Sequence, residues 1–285
     1  MTLTVTTSSV VAATPRSLDE AIRIRADDPE RRIVHGGTDV MVGVNAGTVD
    51  IERWLSLRRV SELSERSYDD AGCLLLGAGT TFAGLSSAEG QHLTALQMAA
   101  RTVGSAQIRS AGTIGGNLVT ASPAADAVPP LFCYDADVEL QSTRGVRTVA
   151  LTDFFTGPKA TVLANDELLT RIRLNSTGGV EWFSKIGTRN AMVISVCSLA
   201  ARLDPENGVA RVAIGSVAPT VRRAVDAEAM LLDPTAADEF AEAVVASAAP
   251  IDDVRSTAHY RRRALGVLAR RVHGRLWHDL KVAAR

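Results

Sequence analysis

Residues 111–130 read AGTIGGNLVTASPAADAVPP and contain no Lys, Arg, Cys or His. Between Gly112 and Asp126 the stretch holds three glycines, three hydroxyl side chains, Asn117 and Asp126 itself. It offers bare backbone and short polar groups, and almost nothing that could act as a nucleophile or general base. Glycine lets the chain turn tightly and lets a ligand approach the backbone, because no Cβ intervenes. A second stretch of the same character lies about seventy residues earlier. It is VHGGTDVMVGVNAG, residues 34–47, again with a Gly-Gly pair beside a threonine and again without Lys or Arg.

Successive N–H groups in such turns, or at a helix start, can cradle an anion. Each favourable contact contributes about 0.3–1 kcal/mol, and up to about 2 when partly buried. With no cation in either loop, backbone dipoles and hydroxyls must do the neutralising. That disfavours a P-loop, whose G-x-x-x-x-G-K-[ST] sets a Lys at the terminal phosphates, and neither loop supplies the Rossmann G-x-G-x-x-G. A ligand with an internal diester or diphosphate, spanning both loops, fits the composition. The spacing and chemistry alone give a dinucleotide-like site.

Working outward, SSVVAAT (8–14) predicts a strand, and Ser17 with Glu20 predicts a capping box opening a helix at SLDEAIRIRA. RRIVHGG and DIERWLSL predict strands, so residues 1–57 read as a small βαβ-type unit. In residues 58–177, GCLLLGAGTTFAGL predicts a strand with Thr80 and Thr81 placed to start a helix. QHLTALQMAARTV predicts a helix with Leu93, Leu96, Met98 and Val103 on its apolar side. DADVELQST and RTVALTDFF predict a hairpin turning near Arg144-Gly145, and DELLTRIRL a further strand, which together suggest a largely antiparallel sheet. After the linker NSTGG, residues 178–285 predict a three-stranded antiparallel sheet followed by helices. The last helix buries Tyr260, Leu265, Leu268, Val272 and Leu276 and turns its arginines outward. The fold class is α+β.

The totals bound the function. A net charge of −1 and 4% aromatic residues argue against a nucleic-acid surface. Cys73, Cys133 and Cys197 lie about sixty residues apart without a C-x-x-C pair. They read as small buried hydrophobes rather than iron–sulfur or zinc ligands. The N-terminus lacks a signal-peptide pattern and no apolar run is long enough to span a membrane, so the expected location is cytoplasmic.

At HGGTD (35–39) and TIGGNLVTASPAAD (113–126) the sequence resembles the flavin-binding subunit of the molybdenum hydroxylases, the xanthine dehydrogenase and carbon monoxide dehydrogenase family. The resemblance continues through FSKIGTRNAMVISVCSLAARLD (183–204), GSVAPTVRRAVDAEAML (215–231) and STAHYRRRALGVLARR (256–271). It implies a fold of the vanillyl-alcohol oxidase type: two FAD-binding subdomains, then a smaller sheet-plus-helices domain. It also implies non-covalent FAD. The backbone of His35, Gly36, Gly37, Thr38 and Asp39 would surround its diphosphate, flanked by Val34 and Val40. Thr113, Ile114, Gly115, Gly116 and Asn117 would cover the other side, with Thr120 adding a hydroxyl and Asp126 meeting sugar hydroxyls. Ile108 and Leu168 match wall positions, and Lys185 a cation near the flavin ring. The same resemblance implies a small [2Fe–2S] subunit and a large molybdopterin subunit, assembled as a dimer of heterotrimers. Electrons would then run from the clusters through FAD to an external acceptor. Two other readings remain open: a scaffold subunit that has lost the cofactor, and a stand-alone flavin oxidoreductase.

Overall fold

Ser17 opens the first helix as its spacing predicts. Its hydroxyl accepts the N–H of Glu20 at 3.2 Å, while the Glu20 carboxylate accepts the N–H of Arg16 at 2.8 Å, one residue earlier than a reciprocal box would have it. In the computed structural model, which describes residues 11–49, 51–87, 93–175 and 177–283, this helix, α1 (Leu18–Asp27), joins two parallel strands. These are β1 (Val11–Ala13) and β2 (Arg32–Val34). A short helix, α2 (Val40–Asn45), leads to β3 (Arg53–Ser56), which pairs in parallel between the other two. Residues 8–10 of the predicted first strand lie outside the described residues. Ala21, Ile22 and Leu55 bury the inner side of this layer together with Leu57, Val60 and Leu63.

The second sheet is antiparallel throughout, in the order β4 (Arg66–Tyr68), β5 (Leu74–Gly77), β10 (Leu168–Leu174), β6 (Asp137–Ser142), β7 (Gly145–Ala150). Its strands alternate with period two, as in β6, where Val138, Leu140 and Ser142 point inward. Among the described residues between β5 and β6 run five helices: α3 (Phe82–Ser86), α4 (Thr94–Thr102), α5 (Ala106–Ala111), α6 (Ile114–Thr120) and α7 (Val128–Cys133). They supply Leu96, Ile114, Leu118 and Phe132 to the core under the sheet. The buried side of α4 is mostly alanine (Ala95, Ala99, Ala100), and Met98 and Val103 are only partly covered. Small side chains let α4 lie close to its neighbours. After β7 the predicted strand breaks into a helical turn, α8 (Leu151–Phe154), before the short pair β8 (Phe155–Gly157) and β9 (Ala160–Thr161).

The third sheet is antiparallel, β11 (Val180–Ile186), β12 (Cys197–Asp204), β13 (Val209–Gly215) and β14 (Arg222–Arg223). The fourth strand extends the three read from the sequence; at two residues it has no alternation to read. One face packs on α4 and α7 through Phe183, Ala200 and Ala213, and these belong to the same core as the second sheet. The other face packs on α9 (Val225–Leu231), α10 (Ala237–Ala246) and the 26-residue α11 (Ala258–Ala283). On α11, Leu265, Leu268, Val272 and Leu276 are buried as expected, but two residues exchange roles. Tyr260 is exposed, while Arg261 is 3% exposed and donates to the carbonyls of Val196 (2.6 Å) and Ser216 (2.8 Å) and to Asp253 (2.6 Å). Its two terminal nitrogens are paired with three acceptors while its Nε has no partner, a burial that an outward-arginine pattern cannot reveal.

Candidate functional site

The two glycine loops meet. Gly36, just past β2, lies so close to the Ala111–Gly112 backbone that a Cβ would overlap the Ala111 carbonyl, 2.6 Å from its carbon. The Thr38 hydroxyl lies 3.3 Å from where a Cβ on Gly112 would sit. Gly37 sits at φ +71°, in the left-handed region open to glycine, and its carbonyl accepts the Met41 N–H that starts α2. A third segment joins them, Gly77–Thr81 at the end of β5. Ala78 and Thr80 accept from the N–H groups of Gly115 (2.8 Å) and Ile114 (2.9 Å), and Gly112 accepts from Phe82 (3.1 Å). The His35 ring covers Gly79, 2.5 Å from where a Cβ would sit. Burial, with Arg58 adding repulsion, lowers the His35 pKa and favours the neutral ring.

The loops differ in what they leave free. Among the described residues, no group accepts from the backbone N–H groups of His35, Gly36, Gly37, Thr38 or Asp39. At α6 the opposite holds. Ile114 and Gly115 donate to the β5 loop, Gly116 donates to the capping Thr113 hydroxyl at 3.1 Å, and Asn117 donates to the Thr113 carbonyl at 3.0 Å. The backbone N–H groups of residues 114–117 are therefore consumed by the fold. What faces out there is the exposed Gly116 Cα, where an added Cβ would meet only the Thr113 hydroxyl, at 3.0 Å. Two buried polar atoms nearby have no hydrogen-bond partner, Thr80 Oγ1 and Asn117 Oδ1. Unmatched buried polar atoms are rare in native folds and mark a place for a water or ligand.

Residues 8–175 match the family model of the FAD binding domain in molybdopterin dehydrogenase, a span that contains all three segments. The chain belongs to this flavoprotein family. Residues 182–276 match the CO dehydrogenase flavoprotein C-terminal domain. The chain is similar to the xanthine dehydrogenase FAD-binding subunit of Escherichia coli O157:H7, 31% identical over 270 residues that cover 90% of this chain and 92% of the relative. It is 29% identical to the nicotine 6-hydroxylase medium subunit of Paenarthrobacter nicotinovorans, covering 91% and 94%. Quinoline 2-oxidoreductase from Pseudomonas putida 86 shares the fold with a TM-score of 0.87 at 27% identity, covering 95% of this chain and 98% of that one. A family that binds FAD suits five free backbone N–H groups in one glycine loop and two unmatched polar atoms in the segments packed beside it.

Three of the flavoprotein's expected site residues stand differently from the expectation. Leu168, the first residue of β10, is 1% exposed and packs with Leu55, Leu57 and Leu63, so it closes the seam between the first two layers and lines no wall. Asp126 is engaged at both oxygens, by Lys185 Nζ at 2.5 Å and by the Ser195 hydroxyl at 2.5 Å. Burial pushes its carboxyl up, against the pull of Lys185 and Ser195. Lys185 also donates to the carbonyls of Thr102 (3.0 Å) and Val193 (3.3 Å), so its charge is matched inside the chain rather than projected as a free cation. Ile114 is fully buried, with its N–H already used. Ile108 is half-exposed on α5, one turn before Ala111, and Thr120 is half-buried at the end of α6. Val34 gives its carbonyl to Leu57, and Val40 opens α2.

Sequence reasoning overlooked three contributors. Gly77–Thr81 was legible as Gly-Ala-Gly-Thr-Thr, a third glycine–hydroxyl run, but reads first as a strand entering a helix. Arg58 beside His35, and Lys159, whose Nζ lies 3.7 Å from Asp39, come from outside the loops. Spacing along the chain carried no sign of either.

Proposed function

We propose that this chain is the FAD-carrying medium subunit of a multi-subunit molybdenum hydroxylase. Bound there, FAD supplies a redox centre that takes up electrons from a partner and gives them to an external acceptor. The chain's own work is to hold and orient the coenzyme. The free N–H groups of residues 35–39 face the diphosphate, Gly116 leaves room beside it, and Thr80 and Asn117 meet polar groups of the ligand. The observation that carries this reading is the seating of Gly36 on Ala111, which sets the open N–H row beside the backbone that leads into α6. With three cysteines spaced along the chain and no C-x-x-C, the [2Fe–2S] clusters are assigned to a small partner and molybdopterin to a large one, in a cytoplasmic dimer of heterotrimers. Its three units are bounded at residues 57/58 and 177/178.

The test is to purify the chain and titrate it with FAD. One equivalent should bind, and acid precipitation should release all the yellow colour to the supernatant, because no Cys lies in the loops and His35 is folded onto Gly79. Absence of binding favours a scaffold, and colour retained in the pellet overturns non-covalent attachment. Substrate turnover by the isolated chain would favour a stand-alone oxidoreductase.

A further inference from the structure

Strand β11 grips helix α4 by both ends. Glu181, Phe183 and Lys185 alternate along one face of the strand. Phe183 packs in the same core as Leu96 and Ala99 of α4. At the start of α4, the Ala95 N–H donates to Glu181 Oε2 at 3.1 Å; at its end, Lys185 donates to the Thr102 carbonyl at 3.0 Å. Four strand steps span about 13 Å, and the seven residues from Ala95 to Thr102 rise about 10.5 Å, so the two lengths match. The carboxylate meets the positive end of the helix dipole and the ammonium meets the negative end, which is the favourable sense for each.

The grip reaches the cofactor cradle by a short physical route. Beyond Thr102 the chain turns at Gly104 into α5, and Arg109 of α5 reaches back to the carbonyls of Val103 (3.2 Å) and Gly104 (3.0 Å). Two residues further on, Ala111 is the seat of Gly36. We propose that Glu181 is a positioning residue for the FAD site: by holding the start of α4 it fixes α5, and with it the backbone on which the first glycine loop rests. This rests on the functional reading above.

The surroundings of Glu181 make the grip sensitive to pH. The carboxyl is 5% exposed, accepts the Tyr134 hydroxyl at 2.6 Å, and lies opposite Arg202 across the β11–β12 ladder. Its Oε1 has no hydrogen-bond partner. Burial lifts its pKa to about 7, against the opposing hydrogen bonds and the Arg202 charge. The other groups facing it do not titrate there. Tyr134 and Cys133 are both pushed upward by burial. Above neutral pH the ionised carboxylate holds α4; below it the protonated acid holds it more weakly.

The experiment measures FAD dissociation constants of the full chain by flavin fluorescence between pH 6.5 and 8.5, a window above the lowered titration of His35. The wild type should tighten by about fivefold across the window, the size of one helix-end charge contact, with its midpoint near 7. Glu181→Gln, checked by circular dichroism to be folded, should bind at the weaker level throughout. Tyr134→Phe, which removes a hydrogen bond to the carboxylate, should move the midpoint upward. A flat wild-type profile, or a wild-type profile in Glu181→Gln, overturns the proposal. If Glu181→Gln does not fold, an unmoved midpoint in Tyr134→Phe overturns it instead. No FAD binding by the wild type at any pH would overturn the functional reading and this proposal together, whereas binding with an unaltered Glu181→Gln profile would overturn this proposal alone.

Discussion

The loop after β2 and the loop entering α6 share a Gly-Gly pair, a threonine and an absence of cations, yet they fold to opposite ends. Along residues 35–39 the backbone N–H groups are left free among the described residues. Along 114–117 each N–H is already bonded to the β5 loop or to Thr113. The glycines differ accordingly. Gly36 and Gly115 let backbone touch backbone, Gly115 lying where a Cβ would be 2.6 Å from that of Ala78. Gly116 faces outward, where an added Cβ would meet the Thr113 hydroxyl and nothing else. Composition marks both loops as ligand-like, and the hydrogen-bond account decides which one offers donors and which one is the rigid wall behind them.

Substitutions at the glycines separate these roles. The largest effect is expected from Gly36→Ala. Its methyl overlaps the Ala111 carbonyl, so the loops must part, with stability falling by about 1–3 kcal/mol and FAD affinity by roughly 100-fold or more, about 3 kcal/mol. Thermal unfolding and FAD titration check both. Gly116→Val should lose a similar factor in FAD affinity yet unfold within about 0.5 kcal/mol of the wild type, as a surface change does. Stoichiometric FAD in that variant would break the assignment of the open side of α6. Gly115→Ala should behave in the reverse sense, costing about 1–3 kcal/mol in urea unfolding through its contact with Ala78, with the loss of FAD affinity following from the strain.

Smaller effects sharpen the same contrast. Thr113→Ala removes the cap that accepts the Gly116 N–H and should cost about 1 kcal/mol in unfolding. His35 bears on the first loop alone. Its folded pKa lies below the ordinary value, so the unfolded chain binds more protons just below pH 6.5, and stability falls as the solution is acidified through that range. His35→Gln should flatten the acid limb of a stability-against-pH curve below 6.5; an unchanged limb would show that the ring is not the group responsible.

Much of this arrangement is legible in the chain itself. The period-two runs of β6 and β10, the Ser17 and Thr81 caps and the two Gly-Gly loops follow from local rules of side-chain alternation and capping. The residues that misled are those whose neighbours come from far along the sequence. Leu168 fills a seam made by Leu55 and Leu63, more than a hundred residues away. Arg261 is buried because two distant carbonyls and Asp253 converge on it. Lys185 loses its free charge to Asp126, fifty-nine positions earlier. The burial of α4 by alanines rather than by Met98 and Val103 depends on how closely the neighbouring elements approach, which helical periodicity does not encode.

The inner face of the third sheet has a practical consequence. Phe183, Ala200 and Ala213 belong to the same apolar mass as Leu96 and Phe132 of the preceding helices. Cutting the polypeptide after residue 177 would therefore strip the cover from one side of that mass and leave a sticky wound on the remaining piece. A dissected N-terminal half should clump or need detergent, and the two portions should melt together in calorimetry as one event.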